Sequence, residues 1–294
     1  MERNISGHGF VERNLAEPLV SIIIPVYNAQ KTIERCLCSI RNQTFTNFEV
    51  LMVNDGSTDH SMHILEKFAS KDPRFIIIDK SNSGVSDSRN IAMECACGKY
   101  FQFVDADDWI PSDAVEALVH AAESNNSDMV ICDYRRVIGH MFTTKGHIDV
   151  SGTISKRTYA EYMMKAPANY YYGVMWNKFY RADLIRAHHI KCPLELQWCE
   201  DFQFNLEFLQ YADSIYVLTR PLYYYVKTKG SLVDSNIDLR KTVRTKRLLF
   251  DYYRGLYESL DMYEQNRLRL QTFFIDFARD RVKSDEYGEY TEWK

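Results

Sequence analysis

Between residues 20 and 132 the chain sets short, continuously apolar runs against longer amphipathic stretches, and few architectures accept that order. The apolar runs fall at 20–25, 48–53, 75–78, 100–104 and 129–132, and their Val, Ile and Phe content is that of strands covered on both faces. Between the first two, Asn28 reads as the cap of a helix carrying Ile33, Leu37 and Ile40 at helical spacing. A turn at Asn54-Asp55-Gly56-Ser57 opens a second helix reaching about Phe68, and two further helices are predicted over 86–96 and 113–124. Alternation of this kind predicts an α/β fold with a mainly parallel central sheet flanked by helices. At 294 residues, 46% hydrophobic and 14% aromatic, the chain can bury the core such a sheet needs.

Ligands of a parallel sheet sit outside the carboxyl ends of its strands. Tyr27, Asp55 and the acidic run Asp105-Ala106-Asp107-Asp108-Trp109 each follow a strand directly, so one edge collects them. Three carboxylates that close raise one another's pKa unless a cation or a set of donors lies between them, which points to a divalent metal. The competing reading is a turn and helix cap, and the same holds for Asp55-Gly56-Ser57-Thr58-Asp59. The chain has neither the Gly-x-x-x-x-Gly-Lys-Ser/Thr nor the Gly-x-Gly-x-x-Gly phosphate loop. A nucleoside diphosphate held to carboxylates through magnesium or manganese suits this edge, with Tyr27 to stack on a base and Asp55 to accept from it. Arg89, at the start of the 86–96 helix, would add a fixed positive charge near the phosphates, or would pair at the surface with Asp87 or Glu94.

A net charge of −4 gives no electrostatic reason to expect a nucleic acid partner. Seven cysteines with no Cys-x-x-Cys pair argue against a disulfide framework and a structural zinc site, and fit a reducing cytoplasm. The polar segment 1–17 does not read as a signal peptide or anchor, and no apolar run approaches the ~18 residues of a membrane span.

Four motifs in order, Ile24-Pro25-Val26-Tyr27-Asn28, Asn54-Asp55-Gly56-Ser57-Thr58-Asp59, Asn82-Ser83-Gly84-Val85-Ser86 with Arg89-Asn90, and Asp105-Ala106-Asp107-Asp108-Trp109, resemble the family 2 glycosyltransferases of bacterial capsule, exopolysaccharide and lipopolysaccharide assembly. The resemblance is strong over residues 18–135 and implies the GT-A fold, whose first half binds a nucleotide-sugar and whose second half shapes the acceptor site. It implies that Pro25, Val26 and Tyr27 line the nucleobase and ribose, that Asp55 reads the base, and that Asp105 and Ala106 meet the nucleotide-sugar. Asp107 is then the direct ligand of a Mn2+ or Mg2+ ion, and Asp108 supports the loop. Further on, Trp176-Asn177-Lys178-Phe179 and Trp198-Cys199-Glu200-Asp201-Phe202 resemble the acceptor-side segments, making Asp201 the catalytic base and Trp198, Glu200 and Trp176 acceptor contacts. Without the resemblance, Asp201 is equally a first-turn carboxylate facing a helix dipole.

The implied reaction is inverting, metal-dependent transfer of a monosaccharide, from a UDP-sugar by preference, to a glycan or lipid-linked hydroxyl. Two departures stand out: Lys227 replaces the family's frequent arginine, and no histidine follows His189 to complete a metal site. A pyrophosphorylase would carry a glycine-rich loop in place of Pro25-Val26-Tyr27-Asn28, and an aspartyl-phosphate phosphatase an early Asp-x-Asp-Gly-Thr. A non-catalytic nucleotide-sugar or glycan-binding protein remains the alternative. The organisation expected is an extension over 1–17, a catalytic domain over 18–235 divided near 135, and a helical extension over 236–294 broken near 260–263. Arg240, Lys241, Arg244, Lys246 and Arg247 open that extension, so residues 236–284 are expected to rest on an anionic membrane, on a second copy, or on the catalytic domain itself.

Overall fold

The computed structural model describes residues 17–167, 169–196, 199–226, 239–276 and 291–292. Trp198, Lys227, the 1–16 segment and the side chains of Arg240, Lys241, Arg244, Phe273 and Phe274 lie outside that description. The first half follows the sequence pattern closely. Strands β1 (Val20–Val26), β2 (Phe48–Asp55), β3 (Phe75–Lys80) and β4 (Tyr100–Phe103) are parallel neighbours in the order β3-β2-β1-β4. Helices α1 (Ile33–Arg41), α2 (Ser61–Ala69), α3 (Val85–Cys95) and α4 (Ala114–Asn125) connect them in turn or follow the last. Every residue of β2 is buried, which explains the absence of polar alternation there. Helix α1 buries Ile33, Cys36, Leu37 and Ile40, one stripe at 3.6-residue spacing; each such side chain stabilises the fold by roughly 1.5–3 kcal/mol.

Asn28 does not cap α1. The helix starts four residues later, behind Thr32, and Asn28 adopts the left-handed conformation (φ 48°). Its Oδ1 accepts from Thr58 N at 2.8 Å and its N–H donates to Ser57 Oγ at 3.1 Å, so it ties the loop after β1 to the loop after β2. Asparagine tolerates this backbone region better than most residues because its short side chain bonds locally.

Beyond β4 the sheet becomes mixed. Strand β5 (Met129–Ile138) does not pair with β4; β8 (Lys178–Arg181) enters between them, antiparallel to both. Strands β6 (Met141–Lys145) and β7 (Gly152–Ser155) precede it in the chain, and β9 (Ser214–Val226) runs parallel to β5 and antiparallel to β7. A last pair of residues, β10 (Thr291–Glu292), adds to β6. Short helices α5 (Lys156–Lys165), α6 (Tyr170–Gly173) and α7 (Ala182–Ala187) link these strands, and α8 (Glu200–Tyr211) packs against α6 and α7.

Two long helices, α9 (Leu239–Ser259) and α10 (Tyr263–Asp276), follow. The apolar face of α9, with Leu249, Tyr253, Leu256 and Tyr257 all buried, is turned onto the body of the protein. Hydrogen bonds fix its seat: Tyr252 Oη accepts from Gln203 Nε2 at 3.0 Å, Tyr253 donates to Pro167 O at 2.7 Å, and Tyr257 to Ala160 O at 2.6 Å. No helix among the described residues is long and apolar enough to cross a membrane.

Candidate active site

The order β3-β2-β1-β4 reverses direction at β1, and the crevice between β1 and β4 is where an open parallel sheet takes its ligand. Here the crevice is deepened by unequal strand lengths. Strand β4 stops opposite Ile23, three residues before β1 ends, and the chain leaves it through Val104 N donating to Ile23 O at 3.0 Å. The acidic segment 105–108 fills the notch.

That segment is anchored by its backbone. Asp105 N donates to Tyr223 Oη at 3.0 Å, and the same hydroxyl donates to Asp108 Oδ2 at 2.8 Å. Val226 N donates to Asp108 Oδ1 at 2.7 Å, and Arg35 donates to Asp107 O at 2.6 Å while its guanidinium lies 4.2 Å over the Trp109 ring. Asp108, 1% exposed, is thus a structural clamp between the loop and the end of β9. No hydrogen bond from another described residue reaches the Asp107 carboxylate. Burial raises the pKa of Asp107, and that of Asp105 to about 6, where Arg89 opposes the rise and the charges of Asp201 and Asp107 add to it.

The second acidic pair arrives from 95 residues further on, in the first turn of α8. Cys199, ahead of that helix, holds φ at 63°, an unfavourable setting for a residue with a Cβ, and such settings persist where surrounding structure enforces them. It brings Glu200 and Asp201 against Arg89 of α3. Arg89 is 4% exposed; its Nη1 donates to Asp201 Oδ1 at 2.5 Å and lies 3.6 Å from Glu200, while Nη2 donates to Asp105 Oδ1 at 3.2 Å. Burial alone would lower its pKa, but Asp201 and Asp105 outweigh burial and keep it charged. Met175 N completes the setting by donating to Asp201 Oδ2 at 3.1 Å. Burial together with the Asp201 charge raises the pKa of Glu200 to about 7.

One arginine therefore joins the end of β4 to the start of α8, where the sequence offered it either a place near the phosphates or a surface pairing. The surface pairing with Asp87 or Glu94 does not occur, because Lys80 takes Asp87 and Lys191 takes Glu94. Asp55 is 4% exposed, and its carboxylate accepts from Lys80, from Ser83 N at 2.8 Å and from Gly84 N at 2.9 Å, fixing the loop that starts α3. Gly56 beside it is required: φ is +66°, and a Cβ there would stand 2.7 Å from Asn82 N. Of the remaining expected donor contacts, Tyr27 is exposed, Pro25 half-buried, and Val26 and Ala106 buried.

On the far side, Trp176 is 2% exposed and sandwiched by Tyr223 (4.3 Å) and Tyr225 (5.4 Å), so it presents almost no face to a ligand and instead backs the tyrosine that holds Asp105 and Asp108. Two side chains of the site were not singled out from sequence: Arg35 and Lys178. Lys178 is fully buried; its ammonium donates to Tyr171 O at 3.1 Å, Val174 O at 2.5 Å and Asn177 Oδ1 at 2.9 Å, and burial draws its pKa down to about 7. It fastens the turn that carries Met175. Only its place in the Trp176-Asn177-Lys178 motif signalled it.

Chemically, the crevice concentrates five carboxylates, three of them on one buried guanidinium, with pKa values displaced upward at Asp105, Asp107, Asp108 and Glu200. Such a set favours a hard cation. Yet among the described residues no group of three or more His, Cys, Asp or Glu is arranged to hold a metal. The residues fit an ion that takes one or two carboxylates from the protein and the rest of its oxygens from a bound phosphate ligand.

Residues 21–188 match the family described as Glycosyl transferase family 2. The chain is 33% identical over 279 residues to the putative glycosyltransferase EpsH of Bacillus subtilis, spanning 94% of this chain and 78% of that one. The chain belongs to glycosyl transferase family 2. As a family 2 glycosyltransferase it has the GT-A fold, and it superposes on Staphylococcus aureus TarS 1–349 in complex with UDP-GlcNAc with a TM-score of 0.67 at 22% identity, over 90% of this chain and 82% of that one. The mannosyltransferase PcManGT of Pyrobaculum calidifontis, in complex with GDP-Man and Mn2+, shares the fold more distantly (TM-score 0.53, 16% identity, 92% of this chain and 77% of that one).

Proposed function

We propose that this family 2 enzyme transfers a monosaccharide with inversion from a UDP-sugar to a hydroxyl of a glycan or lipid-linked acceptor in bacterial cell-surface polysaccharide assembly. The observation that carries the reading is the Arg89 network, which draws the carboxylates of the β4 loop and of α8 into one site. The nucleotide lies over the ends of β1 and β2, with its base against Tyr27 and Asp55 and its diphosphate toward Asp105 and Asp107. UDP-GlcNAc in TarS and GDP-Man in the mannosyltransferase support a nucleoside diphosphate donor on this fold.

Asp107, with Asp105 beside it, would hold a Mn2+ or Mg2+ ion, which when bound neutralises charge on the leaving diphosphate. Asp201 is the base. Arg89 and the Met175 amide each occupy one of its oxygens, and each oxygen keeps a further lone pair for the acceptor proton. As the acceptor oxygen bonds to the anomeric carbon from the face opposite the diphosphate, its proton passes to Asp201 and the carbon–oxygen bond to the diphosphate breaks with its electrons. The configuration inverts in one displacement, with no covalent enzyme intermediate. Arg89 holds the base in place beside a second carboxylate.

Two variants separate these roles. Asp201→Asn is expected to lower transfer roughly 10²- to 10⁴-fold while UDP-sugar affinity, read by calorimetry, stays within about twofold. Asp107→Ala is expected to weaken manganese-dependent UDP-sugar binding itself. Equal loss of donor affinity in both variants would contradict the assignment.

A further inference from the structure

On the acceptor side, one aromatic ring combines exposure with a position inside the site. Tyr170 is 44% exposed although its neighbours Tyr171, Tyr172 and Trp176 are each 2% exposed or less. It opens α6, where Asn169 caps the helix by accepting from Tyr171 N. Its ring leans on three others, Tyr225 at 5.4 Å, Trp176 at 5.9 Å and Tyr134 at 6.5 Å, so it cannot fold away from solvent. Its hydroxyl end is turned inward: burial there, an interaction with the Tyr225 hydroxyl, and the charges of Asp105 and Asp201 push its pKa well up. The ring is therefore open to solvent on a helix that packs against α8, which carries the candidate base. Five residues along the chain, the Met175 amide holds Asp201 directly.

Strand order separates this ring from the donor end. Tyr27 follows β1, whereas two of the rings behind Tyr170, Tyr134 and Tyr225, belong to β5 and β9, on the other side of β4 and β8. The acidic loop lies between the two aromatic residues.

We propose that Tyr170, backed by Tyr225 and Trp176, is the platform on which the terminal pyranose ring of the acceptor packs. A pyranose has an apolar C–H face and a polar rim, which matches an exposed ring surrounded by carboxylates and hydroxyls better than it matches a lipid chain or a nucleobase. Packed there, the sugar presents a rim hydroxyl to Asp201. The proposal rests on the glycosyltransferase reading and names the part of the acceptor that the site recognises.

Saturation-transfer NMR on the full chain with UDP present tests it, using the methyl β-glycosides of N-acetylglucosamine, glucose and galactose as probes. The expected result is transfer from the wild-type protein concentrated on the ring protons of one sugar face. Tyr170→Phe and Tyr170→Trp should keep it, while affinity should fall roughly threefold to tenfold in Tyr170→Ala. Tyr170→Leu, which keeps bulk but has no aromatic face, serves if the alanine variant fails to fold, and the same loss is expected. No transfer to any glycoside from a wild-type protein that binds UDP-sugars would overturn this proposal alone, as would unchanged affinity in Tyr170→Leu. Failure of the wild-type protein to bind any UDP-sugar would instead overturn the donor reading.

Discussion

Glu200 and Asp201 are adjacent in sequence and unlike in chemistry. Asp201 is held at both oxygens by Arg89 and the Met175 amide, whereas Glu200 stands 3.6 Å from the same arginine and has its pKa raised from 4.5 to about 7. A raised carboxyl pKa means that the folded chain binds more protons than the unfolded one between those two values. Stability is then lost as pH rises from about 4.5 through about 7, by an amount on the order of 2–3 kcal/mol. In Glu200→Gln that loss should largely vanish, so its melting temperature should exceed wild type at pH 8 and match it near pH 4.5. Parallel pH profiles for the two proteins would show that Glu200 carries no such strain. Arg89 teaches a related lesson. Its motif was legible, but whether it faced inward depended on Lys80 and Lys191 satisfying the nearby acids, and that is decided in three dimensions.

At the level of elements, the parallel half was legible because each strand buried on both faces writes a continuous apolar run, and each helix writes a stripe. The mixed half was not. Strand β8 is four residues long, and its Lys178-Phe179-Tyr180-Arg181 carries no alternation that distinguishes it from the turn before it. The reading of Asn28 as a helix cap missed the six-residue loop that separates β1 from α1 and that Asn28 itself fastens. Lys178 shows how a short element supports the site: three acceptors converge on one ammonium, and the turn they belong to delivers the Met175 amide to Asp201. Lys178→Met leaves Asn177 Oδ1 without its ammonium donor, and the Tyr171 and Val174 carbonyls with only the side-chain amides of Asn177 and Asn205. It is expected to cost on the order of 2–4 kcal/mol in urea denaturation and to lower turnover as well. A loss below about 0.5 kcal/mol would mean that the turn stands without the lysine.

Across the whole molecule, the site exists only because distant stretches meet. Residues 27, 55, 89 and 105–108 come from the parallel half, 175 and 200–201 from the segments around β8 and α8, and 223–226 from the end of β9. The C-terminal extension takes part by packing: the apolar face of α9 rests on the body of the protein at α8, one of the three seats expected for it, through Leu249, Tyr253, Leu256 and Tyr257. A donor that binds across this assembly stabilises it as a unit, by mass action on the folded state. We propose that the crevice at β1 and β4 takes a UDP-sugar with a divalent cation. The most direct test is the melting temperature of the full chain across a panel of nucleotide-sugars, with and without manganese, together with slow donor hydrolysis. The account predicts a manganese-dependent rise of several degrees with a UDP-sugar, accompanied by release of UDP, and its loss in Asp107→Ala. A folded protein that responds to no UDP-sugar under either condition would contradict it.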